Sequence, residues 1–191
     1  ALLRDKIDAV LVPRSDEFQG EYVPACAERL KWLTGFSGSA GLAIVTRKAA
    51  VLLIDGRYTV QVRTETDTDV FEVSQLARPR FSEWLIDKLV KGNTVGFDPW
   101  LHTASEIARL KAALDAKGIK LKALAKNPID AIWGTSRPKP PMAEIAVQPL
   151  AFAGRDAAAK IADVQKTLKE AGQHATLLTL SDSVCWLFNI R

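Results

Sequence analysis

Three glycines (Gly35, Gly38, Gly41), the serines between them (Ser37, Ser39) and the tetrad Asp55-Gly56-Arg57-Tyr58 are the residues of this 191-residue chain whose types and spacing bear on chemistry. The spacing G-x-x-G-x-x-G departs from the dinucleotide fingerprint G-x-G-x-x-G and from the P-loop, and no Lys-Ser/Thr pair follows it. The glycines also lead into an apolar run that reads as a strand, whereas phosphate loops follow a strand and open a helix. Tight turns and close backbone approach account for them better. Ser37 and Ser39 miss the G-x-S-x-G spacing and the strand-to-helix context of a nucleophile elbow. The two histidines, His102 and His174, stand apart from each other and from both cysteines. No HExxH, CxxC or Cys/His cluster offers metal ligands at a recognised spacing, and Asp67-Thr68-Asp69 reads as solvated loop charge. Arg57 is the polar residue that stands out. Its planar fork of donors suits carboxylates, so at a strand end it could meet a substrate or a neighbouring chain. A surface ion pair with Asp55 is the plainer alternative.

The elements that must position these residues follow from hydrophobic patterning. Leu42 to Val45 and Ala49 to Ile54 are apolar runs joined by the polar turn Thr46-Arg47-Lys48, a hairpin pattern. With few polar breaks they read as strands buried on both faces, at the centre of a sheet. Residues 7–13 form a first strand ended by Pro13, 95–99 another ended by Pro99, and Lys120 to Leu124 a further one. The segment 59–67 is ambiguous: Val60 and Val62 alternate as in a hairpin strand after Asp55-Gly56, yet a helix can equally begin there. Residues 81–91 look helical with Ser82 as N-cap, and Thr103-x-x-Glu106 is a capping box for a helix with Ile107, Leu110 and Leu114 on one face and Gly118 at its end. The alternation of strands and helices indicates an α/β fold with a mixed or mostly parallel sheet.

From Trp133 the chain becomes proline-rich and loses periodicity, the mark of a linker or extended crossing. Asp156 then caps an alanine-rich helix with Ile161, Val164 and Leu168 on one face, ended by Gly172, and residues 175–180 read as a strand. The run IDAVLVPRSD followed by RLKWLTGF is echoed by HATLLTLSD followed by SVCWLFNI, a weak internal repeat. The second copy stops where the first enters its central strands, so the expectation is that a complete protein continues past Arg191.

Totals exclude several classes. The net charge of +4, from 26 basic and 22 acidic residues, is mild, and the basic residues form no run of five or more, so a nucleic-acid arm is not indicated. An apolar content of 48% with 25% charged residues is ordinary for a globular domain. The longest apolar run is too short for a membrane helix, and charges interrupt the start before a signal-peptide core could form. Cys26 and Cys185 read as free thiols in a reducing compartment, so the chain is expected to be cytoplasmic.

The segments GEYVPAC (20–26), LTGFSGSAGLAIVT (33–46), LLIDGRYTVQ (52–61), VGFDPWL (95–101), NPIDAIW (127–133), RPKPP (137–141) and DSVCWLFNIR (182–191) together resemble the amino-terminal region of the Xaa-Pro aminopeptidases in their long, three-domain form. Creatinase and prolidase share the fold but resemble these segments less well. The resemblance implies a non-catalytic creatinase-like α/β domain with a mixed, about six-stranded sheet over residues 1–153 and a second, similar domain begun at 154–191. The catalytic pita-bread domain of that family, absent here, holds two divalent ions, usually manganese, on two aspartates, a histidine and two glutamates; they activate a water that attacks the bond before proline. No catalytic residue and no metal ligand is therefore expected in this chain. The resemblance further implies a homodimer, peptides with proline second as the parent's substrates, no nucleic acid or membrane partner, and Arg57 as the candidate to face substrate. A non-enzymatic binding module, as in a histone-chaperone subunit, and a creatinase- or prolidase-type enzyme are the rival readings.

Overall fold

The computed structural model describes residues 2–76 and 78–191, and the chain divides into two compact units, Ala1–Pro140 and Pro141–Arg191. In chain order the first unit contains α1 (Leu2–Asp5), β1 (Ala9–Pro13), α2 (Arg29–Thr34), β2 (Gly41–Thr46), β3 (Ala50–Ile54), α3 (Val62–Glu65), β4 (Glu72–Gln75), α4 (Arg78–Lys88), β5 (Thr94–Phe97), α5 (Ala104–Asp115), β6 (Lys120–Ala123) and α6 (Pro128–Trp133). Its sheet has the order β4-β3-β2-β1-β5-β6. β2 is antiparallel to both β1 and β3, while the pairs β1/β5, β3/β4 and β5/β6 are parallel. The carboxyl ends of five strands and the amino end of β2 therefore share one edge.

The apolar runs are buried on both faces, as their composition requires. On one face Ala9 and Leu11, Leu42 and Ile44, and Val51 and Leu53 pack with Leu85 and Leu89 of α4 and Leu110 and Leu114 of α5. The alternate residues Val10 and Val12, Ala43, and Leu52 and Ile54 pack on the other face with Leu30, Phe36, Val62 and Ile129. A pleated strand sends successive side chains to opposite faces, so one apolar run serves two layers of helices. The hairpin turn is closed by Thr46, whose Oγ1 donates to the Ala49 carbonyl at 2.8 Å and accepts from the Ala49 amide at 2.9 Å.

The structure settles one open alternative, shifts one helix and bears out one cap. After β3 the chain turns into a 3₁₀ turn over Gly56–Tyr58 and then α3, so the helical alternative holds at 59–67. The helix expected at 81–91 spans Arg78–Lys88 instead, which places Ser82 inside it rather than at its cap. Proline lacks the N–H that a first turn leaves unpaired anyway, so Pro79 does not delay the start. The Thr103 capping box forms, with the Glu106 amide on Thr103 Oγ1 and the Thr103 amide on Glu106 Oε2.

The second unit contains α7 (Leu150–Ala153), α8 (Ala157–Glu170) and α9 (Ser181–Phe188), with one bridge between Val147 and Ile190. Asp156 caps α8 through its bond from the Ala159 amide. The strand expected at 175–180 does not form. A strand exists only by pairing, and no strand neighbours this segment among the described residues of its unit. Lys160, buried on α8, donates to the Trp186 carbonyl at 2.8 Å and to Asn189 Oδ1 at 2.6 Å, which satisfies the end of α9. The repeated Trp-Leu pairs do occupy equivalent places: α2 and α9 both stop at a left-handed residue three positions after the tryptophan, Gly35 at φ 79° and Asn189 at φ 53°.

Candidate functional site

Arg57 sits at the shared edge of the sheet because Asp55, directly after β3, turns the chain there. The Asp55 carboxylate accepts the Arg57 amide at 3.0 Å and starts the 3₁₀ turn. The same oxygen accepts Arg57 Nε at 2.8 Å, and the guanidinium carbon lies 5.2 Å from the Tyr58 ring centroid. Tyr58 is fixed in turn by a 2.6 Å hydrogen bond between its hydroxyl and Ser39 Oγ, and by edge contact with buried Phe36. Side-chain and backbone bonds from Arg57 hold the Asp55 carboxyl below its usual range, and Asp55 raises the Arg57 pKa. The bond from Ser39 lowers that of Tyr58. The Arg57 side chain nevertheless stays 66% exposed. Solvent screens so exposed a pair, which makes its contribution to stability small. Arg57 is thus paired with Asp55, the plainer of the two expected roles, while its guanidinium stays largely exposed.

The glycine loop is the rest of that platform. Gly35 has φ +79°, and a Cβ there would lie 2.2 Å from the Glu65 carbonyl oxygen. At Gly38 a Cβ would lie 2.2 Å from the Phe36 ring. Close approach, not phosphate binding, demands these glycines. Ser37 is no nucleophile: its amide and hydroxyl both donate to the Glu65 carboxylate at 2.8 Å, and Gln61 Nε2 bridges the two at 3.0 Å. Those bonds, led by the Ser37 amide, lower the Glu65 pKa.

Beside Ser39 the same edge opens into a cavity of about 670 Å³. It lies where the chain leaves β1 for β2 on one side and, later, returns through β5 on the other, the switch point at which open α/β sheets form crevices. His102 lines it, set just after β5 with its ring edge-on to Phe97. Burial pushes the His102 pKa down, with Glu106 and Asp98 opposing. Its Nε2 is buried with no hydrogen-bond partner among the described residues. Sequence reasoning passed over Arg14 and Arg109, which share this wall with His102; each is an isolated polar residue in a loop or helix without any spacing signal, and His102 stands out in the sequence only as one of two isolated histidines.

Among the described residues no group of three or more His, Cys, Asp and Glu side chains is placed to hold a metal ion. The donor set does not fit a two-metal centre, and no hydrolytic step can be assigned to it. Cys26 and Cys185 are free thiols. No helix among the described residues is long and apolar enough to cross a membrane.

The fold is thus a mixed α/β domain, a six-stranded sheet between two layers of helices with an exposed arginine held at the sheet edge. The chain belongs to the Creatinase/Prolidase N-terminal domain family, which matches residues 1–130, and a second family of the same description matches residues 136–191. It is 37% identical over 188 residues to a probable Xaa-Pro aminopeptidase P of Paracoccidioides lutzii, covering 97% of this chain and 30% of that protein. It is 36% identical to aminopeptidase P2 of Arabidopsis thaliana, covering 97% of this chain and 26% of that protein. Among solved structures, the X-prolyl aminopeptidase of Caenorhabditis elegans, described as a cytosolic enzyme with a di-nuclear active site, is similar with a TM-score of 0.86. Its identity is 31%, over 97% of this chain and 30% of that one. The chain thus spans less than a third of the length of these relatives.

Proposed function

We propose that the chain is the amino-terminal, non-catalytic part of a metal-dependent Xaa-Pro aminopeptidase, whose complete form removes an amino-terminal residue preceding proline. The observation that carries this reading is the likeness over 97% of the chain to the C. elegans X-prolyl aminopeptidase, in sequence and in fold together. In this reading residues 1–153 form a first domain, and residues 154–191 begin a second domain of the same type. Two divalent ions, manganese in the family, are held by residues outside this chain. The complete protein is a cytoplasmic homodimer acting on peptides, without nucleic-acid or membrane partners, and this part serves assembly and shapes access to substrate.

Arg57 is the residue assigned to that last role. Its charge is fixed on Asp55 and Tyr58 yet two-thirds exposed, which suits a carboxylate or carbonyl presented from outside the domain. Two assays of the complete protein test the proposal. Release of the first residue from Xaa-Pro peptides must be abolished by chelation and restored by manganese, while the 191-residue chain alone shows none. Arg57→Ala must lower kcat/KM at least about tenfold, the scale of one lost charge-assisted hydrogen bond. Unchanged kcat/KM together with unchanged dimerisation removes Arg57 from the substrate path.

A further inference from the structure

The cavity beside Ser39 is not accounted for by the reading above, which places substrate chemistry outside this chain. Its volume of about 670 Å³ falls within the range of small-ligand pockets. It also occupies the switch point of the sheet, where such pockets form. Its floor is apolar: Leu42, Leu101 and Leu110 are each less than a tenth exposed and line it together. Two guanidinium groups stand on its walls, Arg14 directly after β1 and Arg109 on α5. Neither has an ion-pair partner among the described residues. An arginine unmatched beside an apolar floor is suited to a bidentate acceptor, because its planar fork matches a carboxylate. His102 adds a buried ring nitrogen with no hydrogen-bond partner among the described residues. Two acidic residues, Glu21 and Glu106, also line the cavity, and Glu106 keeps its charge while accepting the Thr103 amide in the capping box, so a bound carboxylate is received by the arginine forks rather than by a net positive charge.

We infer that this cavity binds a small organic carboxylate with an apolar body, the chemistry shared by a free amino acid and the carboxyl end of a short peptide. Arg14 and Arg109 receive the carboxylate, and Leu42, Leu101 and Leu110 receive the apolar part. The inference does not depend on the peptidase reading, since it concerns binding to this chain alone.

The test is a titration of the 191-residue chain, followed by amide chemical shifts and calorimetry, with L-leucine, N-acetyl-L-leucine, L-leucinamide and alanyl-leucine. The expected result is saturable binding of the three carboxylates with Kd of about 1 mM or tighter, and L-leucinamide at least about tenfold weaker. Shifts should centre on Leu42, Leu101, His102 and Leu110. Arg14→Gln and Arg109→Gln should each weaken N-acetyl-L-leucine at least about tenfold, while Arg63→Gln, exposed on α3 and outside the cavity, leaves it within about twofold. Arg109 is exposed on its helix, so its substitution does not endanger folding, and an unchanged circular dichroism spectrum verifies this for both variants. Tighter binding of alanyl-leucine than of leucine marks a peptide's carboxyl end as the ligand, and the reverse marks a free amino acid; both keep the carboxylate site. No saturable binding of any carboxylate, equal binding of L-leucinamide, or unchanged affinity in both arginine variants overturns it.

Discussion

Replacing Gly35 by alanine tests the claim that the glycine loop is set by close packing. Two costs combine there. A side chain at φ +79° is strained by about 1–2 kcal/mol. The added Cβ also sits 2.2 Å from the Glu65 carbonyl oxygen, when ordinary contact begins near 3.4 Å. That oxygen belongs to the backbone at the end of α3 and must retreat by more than an ångström, which pulls on the Ser37–Glu65–Gln61 bonds. Overpacking of this kind costs about 1–3 kcal/mol, and reduced unfolded-state freedom returns about 0.5 kcal/mol. The expected net loss is about 3 kcal/mol. Two companions in the same unit separate the contributions. Gly92 has φ +91° with open space around it, so Gly92→Ala should lose about 1 kcal/mol; Gly56 has neither feature and should be neutral or slightly stabilised. Urea unfolding read by tryptophan fluorescence suits the measurement, because the Trp32–Trp133 stack at 5.4 Å lies within this unit. If Gly35→Ala unfolds within about 1 kcal/mol of Gly92→Ala, the approach of α3 is not what requires glycine.

Asp130→Asn should cost about 3 kcal/mol, because Asp130 accepts Arg29 Nε at 2.7 Å and Nη2 at 3.0 Å and its loss strands a buried guanidinium. Adding Arg29→Met should recover a large part of that loss; single costs that simply add in the double variant would show the pair to be uncoupled. Acidification should destabilise the protein through His102. Its folded pKa lies below the ordinary 6.5, so the unfolded chain binds this proton first and stability falls as pH drops from about 6.5 toward the folded value. Comparing urea midpoints at about pH 7.5 and 5.5, His102→Gln should show a smaller difference than the parent; an identical difference would assign the acid sensitivity to other groups.

The features legible in the sequence are those whose cause is local. The Thr103-x-x-Glu106 box and the Asp156 cap need only residues within one turn, and both form as read. The apolar run 7–13 declared itself a strand, and 42–45 and 49–54 declared themselves strands buried on both faces, without any partner in view; they became β1, β2 and β3 of the sheet. Arg57 was visible because it follows a strand and a glycine. Resemblance over the whole chain added the family.

Other features depended on contacts distant in sequence. Residues 59–67 carry helix and strand signals alike, and Val62 became helical because its side chain fills the Phe36 side of the core. Residues 175–180 have a strand's composition, yet backbone pairing needs a neighbour that this unit does not supply among its described residues. Arg14, His102 and Arg109 converge only because β1 and β5 are adjacent and parallel, with α5 packed over them. Local sequence therefore determined the helix caps and which runs would be buried, because those depend on propensity and hydrophobicity within a few residues. The pairing of β1 with β5 is a long-range choice among strands of similar composition; only the tertiary structure made it, and with it the cavity.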